Sequence, residues 1–377
     1  MATGKPRLID GRMRFGLMWP NTPSQNVMSR VVADRNPDVL DLDIHMELAR
    51  TCERIGLDYA FFADSYTVNG PSSIAAGHGE PRLYAPVWAA AVLAATRHLG
   101  VVTTLHTRYL PAPVIARLGA NLDAMSKGRW GWNMVPGVKP AEVALFGLEG
   151  ELAHERRYDL ARQTLGAVKT LWSAGAASMA GPAPVQRPHP VIFNPGVSPA
   201  GLDLIASECD FGFSAVVDDQ AEVHTAVDRL AERAAAAGRA EGEVALVGSI
   251  GVVLGSSAAE AEDKRAWFEA NVDLPAAAGF ADFFMRSSQT YQELFKGLDA
   301  ETVARKIGFG VGNTVLGGTA EQVAEQFIEL SRATGMRHFL LLPFLWAPPE
   351  IEAYGEVFDH LRKAGVWLPP ADRSWSW

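Results

Sequence analysis

The feature that most constrains the fold is a regular alternation of short apolar runs and helical patterns. Eight runs predict strands, at 13–19, 57–65, 99–107, 129–135, 190–196, 209–216, 244–255 and 336–344. Runs that are apolar throughout are typical of parallel strands buried on both faces. Eight strand-and-helix units in one chain of 377 residues predict an α/β fold, the (β/α)8 TIM barrel.

Helical periodicity fills the spaces between these runs. The predicted helices are 41–56, 85–98, 111–128, 154–175, 198–208, 220–238, 319–335 and 349–365. Thr319 and Gln322 have the spacing of a capping box. The competing fold, a doubly wound open sheet, would carry a glycine fingerprint after its first strand, and "WPNTPSQN" has none.

We predict a single domain over residues 1–377, with the barrel at about 13–365. The exception to its regularity is 256–316, which is partly helical and too long for a simple connection. We expect this segment to be an insertion on the catalytic rim that acts as a mobile lid.

Charge and cysteine content exclude several classes of protein. The net charge of −9 argues against nucleic-acid and anionic-membrane partners. The two cysteines, Cys52 and Cys209, lack the spacing of a zinc or disulfide framework, and Cys52 lies in a helical pattern as a small apolar residue. Without an apolar signal core or a run of about 18 apolar residues, a cytoplasmic protein is the expectation.

Polar residues at the carboxyl ends of the predicted strands are the candidates for chemistry, because TIM barrels place their active sites there. These ends carry Trp19, 63–65, 104–107, Asn133, Asn194, Ser214 and Pro343. They contain no HxH pair, carboxylate cluster or lysine, so we predict no metal site. Neutral hydrogen-bonding groups beside tryptophans favour a flat heteroaromatic cofactor.

Each candidate also has a purely structural interpretation. His106 could equally be a satisfied structural histidine, and Thr104 an ordinary β-branched strand residue. Asn133 could simply close the Pro-Gly turn that follows it. Gly196 and Ser198, between a strand and a helix, could form an anion site or only a helix N-cap.

The order of these motifs resembles the bacterial luciferase-like flavin-dependent monooxygenases over roughly 13–255 and 311–365. The most specific stretch is "ARLGANLDAMSKGRWGWNMVPG", in which a strand ends on Asn133 before a turn. Together with "ERRYD" at 155–159, it is most similar to the pyrimidine-ring-opening monooxygenases. The alkanesulfonate and the nitrilotriacetate and dibenzothiophene-sulfone monooxygenases come next.

That resemblance implies a TIM barrel that binds reduced FMN from a separate NAD(P)H:flavin reductase. It places Thr104, Asn133, Glu142 and His106 in the catalytic site. The implied cofactor-binding residues are Ala63, Thr104, Asn133, Tyr158, Gly196 and Ser198. Three departures concern the substrate more than the cofactor: Pro136 replaces a threonine, Asn194-Pro195 precedes the phosphate-loop glycine, and His106 replaces a small residue.

The implied activity is two-component: reduced FMN and O₂ form a C4a-hydroperoxide or an N5-peroxide that oxidises a small substrate. We predict that Trp19, Tyr66, His106 and Tyr109 contact the substrate, joined by Phe280 and Phe283 from the insertion. The sequence offers few cations for this pocket beyond Arg108. We therefore predict that the substrate is an uncharged N-heterocycle or amide-like molecule that undergoes ring or C–N cleavage.

Three alternatives remain open at this point. They are an FMNH₂-dependent desulfonating monooxygenase, an F420-dependent oxidoreductase of the same superfamily, and a non-enzymatic flavin-binding relative. A homodimer or homotetramer is expected.

Overall fold

The computed structural model describes residues 10–137, 139–150, 152–174, 177, 181–215, 218–287, 292 and 295–373. Over this part of the chain the strands are β1 (Arg14–Met18), β2 (Tyr59–Phe62), β3 (Gly100–His106), β4 (Trp130–Val135), β5 (Val191–Asn194), β6 (Phe211–Ala215), β7 (Ala245–Leu254), β8 (Val315–Gly318) and β9 (His338–Leu342).

Eight of these strands close into a parallel barrel. The hydrogen-bonded order runs from β1 through β2, β3, β4, β5, β6 and β7 to β9, which pairs with β1 again. The predicted TIM barrel is therefore confirmed, and its eight strands lie within the eight predicted runs.

The additional strand, β8, begins at the end of the predicted insertion and extends two residues beyond it. β7 is ten residues long, and only its first part pairs with both barrel neighbours. Gly251 pairs with both β9 and β8, and the last three residues, 252–254, pair with β8 instead of β9. The sequence did not reveal β8 because it is four residues long and half glycine.

The helices of the described residues are α1 (Arg30–Ala33), α2 (Leu42–Ile55), α3 (Pro71–Ala75), α4 (Ala85–Ala95), α5 (Ala112–Ser126), α6 (Pro140–Leu145), α7 (His154–Ala174), α8 (Pro199–Glu208), α9 (Gln220–Ala236), α10 (Ala258–Ala270), α11 (Leu274–Ser287), α12 (Ala300–Gly308), α13 (Ala320–Thr334), α14 (Pro348–Glu352) and α15 (Tyr354–Lys363). The capping box of α13 is confirmed, with Thr319 and Gln322 bonded reciprocally. The predicted helix 349–365 is wrong in one respect, since it is two helices that meet at Ala353.

Alternation along the strands sorts side chains between two layers. Trp130 and Trp132 point outward and pack under the helices, fully buried. Val102 belongs to the apolar cluster inside the barrel, together with Phe61 and Phe193. Thr104 and His106 follow Val102 at intervals of two, so they share its inward side near the end of β3. Cys52 is buried as a free thiol in the outer layer, as predicted.

The segment 256–316 contains α10, α11, α12 and the first two residues of β8, and it contacts loops that follow β1 and β2. Asp273 N donates to Met28 O at 2.7 Å, and Phe309 bridges to Val27. The rings of Phe280 and His78 lie 5.0 Å apart. Because these loops leave the carboxyl ends of their strands, the segment covers the catalytic side of the barrel.

Among the described residues, no helix combines the length and the apolar character needed to cross a membrane.

Candidate active site

A hydrogen-bonded pair of neutral side chains marks the carboxyl end of β3 and β4. Thr104 and Asn133 are partners in the register of the two strands. Asn133 Nδ2 donates to Thr104 Oγ1 at 2.9 Å, and that hydroxyl donates to Phe62 O at 2.8 Å. This chain of bonds fixes the amide orientation and leaves Asn133 Oδ1 buried without a hydrogen-bond partner among the described residues.

Glu142 is not a surface charge, because only 1% of it is exposed. It lies in the first turn of α6, which Pro140 starts at a position that needs no N–H donor. Glu142 Oε1 accepts hydrogen bonds from Ser65 Oγ at 2.6 Å and from Tyr66 N at 2.9 Å. A carboxylate on the loop after β4 thereby holds the loop after β2.

An aromatic wall, made of Tyr66, His106, Tyr109 and Phe146, stands beside this carboxylate. Tyr109 and Phe146 are stacked with ring centroids 4.7 Å apart, and Tyr66 meets the edge of Phe146 at 4.8 Å. The His106 ring lies 5.4 Å from both tyrosines. The structure therefore brings together three predicted substrate-site residues and adds Phe146.

Burial sets the ionisation of these rings. It lowers the pKa of His106 to about 4, although the charge of Glu142 acts in the opposite direction. His106 is therefore neutral at physiological pH, and its Nδ1 is buried without a partner among the described residues. Burial and the nearby Glu142 charge raise the pKa of Tyr109, so its hydroxyl also stays neutral.

Gly196, Ser198 and Tyr158 meet where β5 passes into α8. Ser198 caps α8 by accepting from Gly201 N at 3.2 Å, and it also hydrogen-bonds to Tyr158. A Cβ atom on Gly196 would lie 2.6 Å from Asn194 Oδ1 and 2.8 Å from Tyr158 Oη. Only glycine fits this space, which forms a close-walled cradle at the helix start.

The remaining predicted residues divide into two groups. Ala63 packs against the apolar cluster inside the barrel, on the same side as Thr104. Trp19 lies in the outer layer instead, fully buried, with its indole N–H on His45 Nδ1 at 3.0 Å. The prediction that Trp19 contacts the substrate is therefore wrong. Trp19 directly follows β1, and the alternation of side chains along that strand turns it away from the barrel interior.

The insertion reaches the site through one of its two predicted aromatic residues. The ring of Phe283 lies 5.3 Å from Lys139 Nζ, and Phe280 packs on His78.

Two cations that come from loops, Lys139 and Arg82, were not among the predicted site residues. Lys139 Nζ donates to Ser65 Oγ at 2.8 Å, and burial lowers the pKa of Lys139 to about 8. Burial also raises the pKa of Asp64 to about 6. Burial lowers the pKa of Arg82, although the negative charges of Asp64 and Glu142 act to raise it. The expectation that few cations lie near the substrate site is therefore wrong. Arg108, the cation that was expected there, donates from Nη2 to Gly150 O at 2.7 Å.

A cavity of about 750 Å³ lies elsewhere, and none of its lining residues is a predicted site residue. Its charged lining includes Asp219, Glu222, Arg265, Glu269, Arg305 and Lys306. Acids and bases are both numerous there, and neither Asn133 nor any residue of the aromatic wall lines this cavity.

Comparisons with known proteins agree with this geometry. The chain is 27% identical to the dibenzothiophene-sulfone monooxygenase of Rhodococcus erythropolis, with 89% of this chain and 88% of that protein covered. It is 28% identical to the FMNH₂-dependent dimethylsulfone monooxygenase of Pseudomonas putida, over 91% and 93% of the two chains.

Among solved structures, a riboflavin lyase with modified FMN and its substrate riboflavin is similar at a TM-score of 0.83. The two proteins are 25% identical, and the similarity covers 95% of this chain and 93% of the lyase.

The family model for luciferase-like monooxygenases matches residues 13–338, which include β1 to β8 and the start of β9. Barrel, strand-end residues and family match agree, and the chain belongs to the luciferase-like monooxygenases.

Proposed function

We propose that this protein is a two-component monooxygenase that uses FMNH₂ from a separate reductase and O₂ to oxidise a planar N-heterocycle, with ring or C–N cleavage. The observation that carries the proposal is the fixed Thr104–Asn133 pair, whose free amide oxygen lies on the inward side of the barrel close to the aromatic wall. The proposal extends to a homodimer or homotetramer as the functional assembly.

The residues present fit FMN at both of its ends. Asn133 Oδ1 is a buried acceptor that needs a donor, which the pyrimidine edge of a flavin provides. The cradle at Gly196 offers the hydroxyls of Ser198 and Tyr158 at the start of α8, a setting suited to a phosphate. Between these ends, Ala63 presents only a methyl group to a flat ring.

In this proposal reduced FMN supplies the means of activating O₂, and the protein supplies orientation and exclusion of water. Asn133 holds the ring edge, because Thr104 prevents its amide from turning. Tyr66, Tyr109 and Phe146 keep solvent from the reacting face. Neutral His106 is placed to hydrogen-bond the substrate, since its Nδ1 has no partner in the described residues.

Glu142 acts as a positioning residue in this scheme. Its bonds to Ser65 and to Tyr66 N hold Tyr66 in the aromatic wall. Loss of the carboxylate would release the loop after β2 and open the wall to water.

The choice of an N-heterocycle rests on the aromatic wall and on one relative. Tyr66 and the stacked Tyr109 and Phe146 offer flat apolar surfaces of the kind on which a heterocycle stacks. The riboflavin lyase, which is similar over nearly the whole chain, takes a flat N-heterocycle as its substrate.

A second candidate is an FMNH₂-dependent desulfonating monooxygenase. It is favoured by the similarity to the two sulfone monooxygenases, which covers about nine-tenths of the chain. The same aromatic wall would take a planar sulfur compound, and release of sulfite would distinguish this reaction from C–N cleavage.

The first test is an anaerobic titration of the purified protein with FMNH₂. We expect micromolar affinity or better, and a combined Tyr158→Phe and Ser198→Ala variant is expected to bind more weakly. Each lost hydrogen bond to the charged phosphate is worth about 1.5–3 kcal/mol. Failure to bind either redox form of FMN would refute the proposal.

The second test adds a flavin reductase, NADH and FMN to uracil-like, pyridine-like and flavin-like heterocycles under ¹⁸O₂. Label in a ring-opened or C–N-cleaved product supports the proposal. Turnover with reduced deazaflavin in the absence of oxygen would instead identify an F420-dependent oxidoreductase.

A further inference from the structure

Arg82 is a partly buried cation whose Nε atom has no direct partner among the described residues. Its Nε atom is buried and has no hydrogen bond among the described residues, and no ion pair of Arg82 within 4.0 Å occurs in that part of the chain. Burial lowers the pKa of Arg82, while the charges of Asp64, Glu80 and Glu142 act against this effect from a distance. A buried guanidinium nitrogen without an acceptor favours the approach of an anion that can accept its hydrogen bond.

The loop that carries Arg82 is anchored on both sides. Leu83 N donates to Asn21 O at 2.9 Å, beyond the end of β1. Ala85 N donates to Asp64 Oδ2 at 2.9 Å, beyond the end of β2. Arg82 is therefore held at the catalytic end of the barrel, and its position does not depend on a mobile surface loop.

A second cation, Lys139, lies against the same loop after β2: its Nζ donates to Ser65 Oγ at 2.8 Å, and the adjacent Asp64 accepts from Ala85 N of the Arg82 loop at 2.9 Å. The charge of Arg82 lowers the pKa of Lys139, which Glu142 raises and burial lowers more strongly. Lys139 Nζ donates to Ser65 Oγ and to Thr67 O at 3.3 Å, and Phe283 of the insertion covers it. The charges of both cations also act on buried His78.

The neighbouring carboxylates are already occupied by other donors. Asp64 accepts from Ser65 N at 2.8 Å with one oxygen and from Ala85 N with the other. Glu142 Oε1 takes Ser65 Oγ and Tyr66 N. These acids offset part of the cationic charge, but neither forms a contact ion pair with Arg82 among the described residues.

We propose that Arg82 and Lys139 form an anion subsite that binds a carboxylate, sulfinate or sulfonate group of the substrate. This inference rests on the proposed function and refines it: the substrate is a planar ring on the aromatic wall that carries an acidic substituent. Arginine suits such groups because its planar fork donates two parallel hydrogen bonds to an oxyanion.

The test is a ligand-observed NMR screen of planar compounds in matched pairs, each carboxylic or sulfonic acid beside its uncharged amide. Nicotinate with nicotinamide and benzenesulfonate with benzenesulfonamide are two of the pairs. The wild type, screened with and without saturating FMN, is expected to bind the acids at least tenfold more tightly. FMN affinity, measured in the same samples, tests the proposed function independently.

Substitutions test whether the side chains of Arg82 and Lys139 cause the preference for acids over amides. Arg82→Gln is expected to abolish the preference for acids, Lys139→Gln to reduce it, and Arg82→Lys to retain part of it. Arg50→Gln, on the exposed side of α2, is the matched control and leaves it unchanged. FMN affinity stays constant in all four variants.

Three outcomes would overturn the inference. They are no acid bound at 10 mM, equal affinity for acids and amides in the wild type, or an undiminished preference for acids in both Arg82→Gln and Lys139→Gln. If Arg82→Gln does not fold, the comparison of acids with amides in the wild type still tests the inference.

Discussion

Replacement of Gly196 by alanine is the perturbation that isolates the cradle at the start of α8. The backbone at 196 is not in the left-handed region, so alanine adds a steric cost without a conformational one. The new methyl group would lie 2.6 Å from Asn194 Oδ1, 2.8 Å from Gly201 Cα and 2.8 Å from Tyr158 Oη. All three distances are too short for a Cβ contact.

The neighbours differ in their ability to move. Asn194 is held by its donation to Met134 O at 2.7 Å and by Gly196 N at 2.8 Å, and Gly201 is backbone inside α8. The Tyr158 hydroxyl is the end of a side chain and is therefore the group that yields. Its displacement removes one donor to a phosphate, worth about 1.5–3 kcal/mol, or about 10- to 150-fold in Kd.

Fluorescence titration with FMN and with riboflavin, which lacks the phosphate, provides the assay. Gly196→Ala is expected to weaken FMN by the stated factor and riboflavin by less than about threefold. Gly166→Ala on α7, where a Cβ would meet nothing within 4 Å, is the matched control and leaves both affinities unchanged. Unchanged FMN affinity in Gly196→Ala, or equal losses for both ligands, would refute a phosphate site at this position.

Two further predictions concern buried histidines. His106→Ala is expected to reduce turnover at least tenfold with FMN affinity unchanged within about twofold; loss of flavin binding would move His106 to the cofactor site. Burial lowers the pKa of His338 to about 3 and that of His78 to about 4, so the unfolded chain binds protons more readily than the native one. The stability that each neutral histidine contributes is present above about pH 6.5 and is lost as pH falls to its native pKa, about 4 for His78 and about 3 for His338, by about 1.4 kcal/mol per pH unit. Urea denaturation of His338→Phe is expected to give a shallower decline over this range, and a slope equal to that of the wild type would contradict the assignment.

The barrel was predictable because the signal for each element is local. The apolar run 99–107 contains β3, and Asp41 and Gly56 mark the start and end of α2 as N-cap and C-cap. These patterns reflect propensity, periodicity and capping, all of which are present in the linear sequence. β8 escaped prediction because its pairing depends on the unpaired end of β7, which is a tertiary property.

The site was predictable only in part, for the same reason. Asn133 and Thr104 were predicted from their positions at the ends of strands, whereas Glu142 was predicted only through the resemblance to the family. Lys139 and Arg82 lie in loops with no periodic signal, and their approach to Glu142 depends on how α6 and the loop after α3 fold over the barrel. Trp19 was misplaced because a strand residue can face either layer, and the sequence alone did not assign its side of β1.

The phosphate cradle and the fixed amide of Asn133 together constitute the central claim. A crystal structure of the protein with bound FMN tests it most directly. We expect the phosphate beside Ser198 and Tyr158, the pyrimidine edge at Asn133 Oδ1 and the isoalloxazine ring over Ala63. FMN bound instead in the cavity lined by Arg265, Arg305 and Lys306, with the cradle empty, would contradict it.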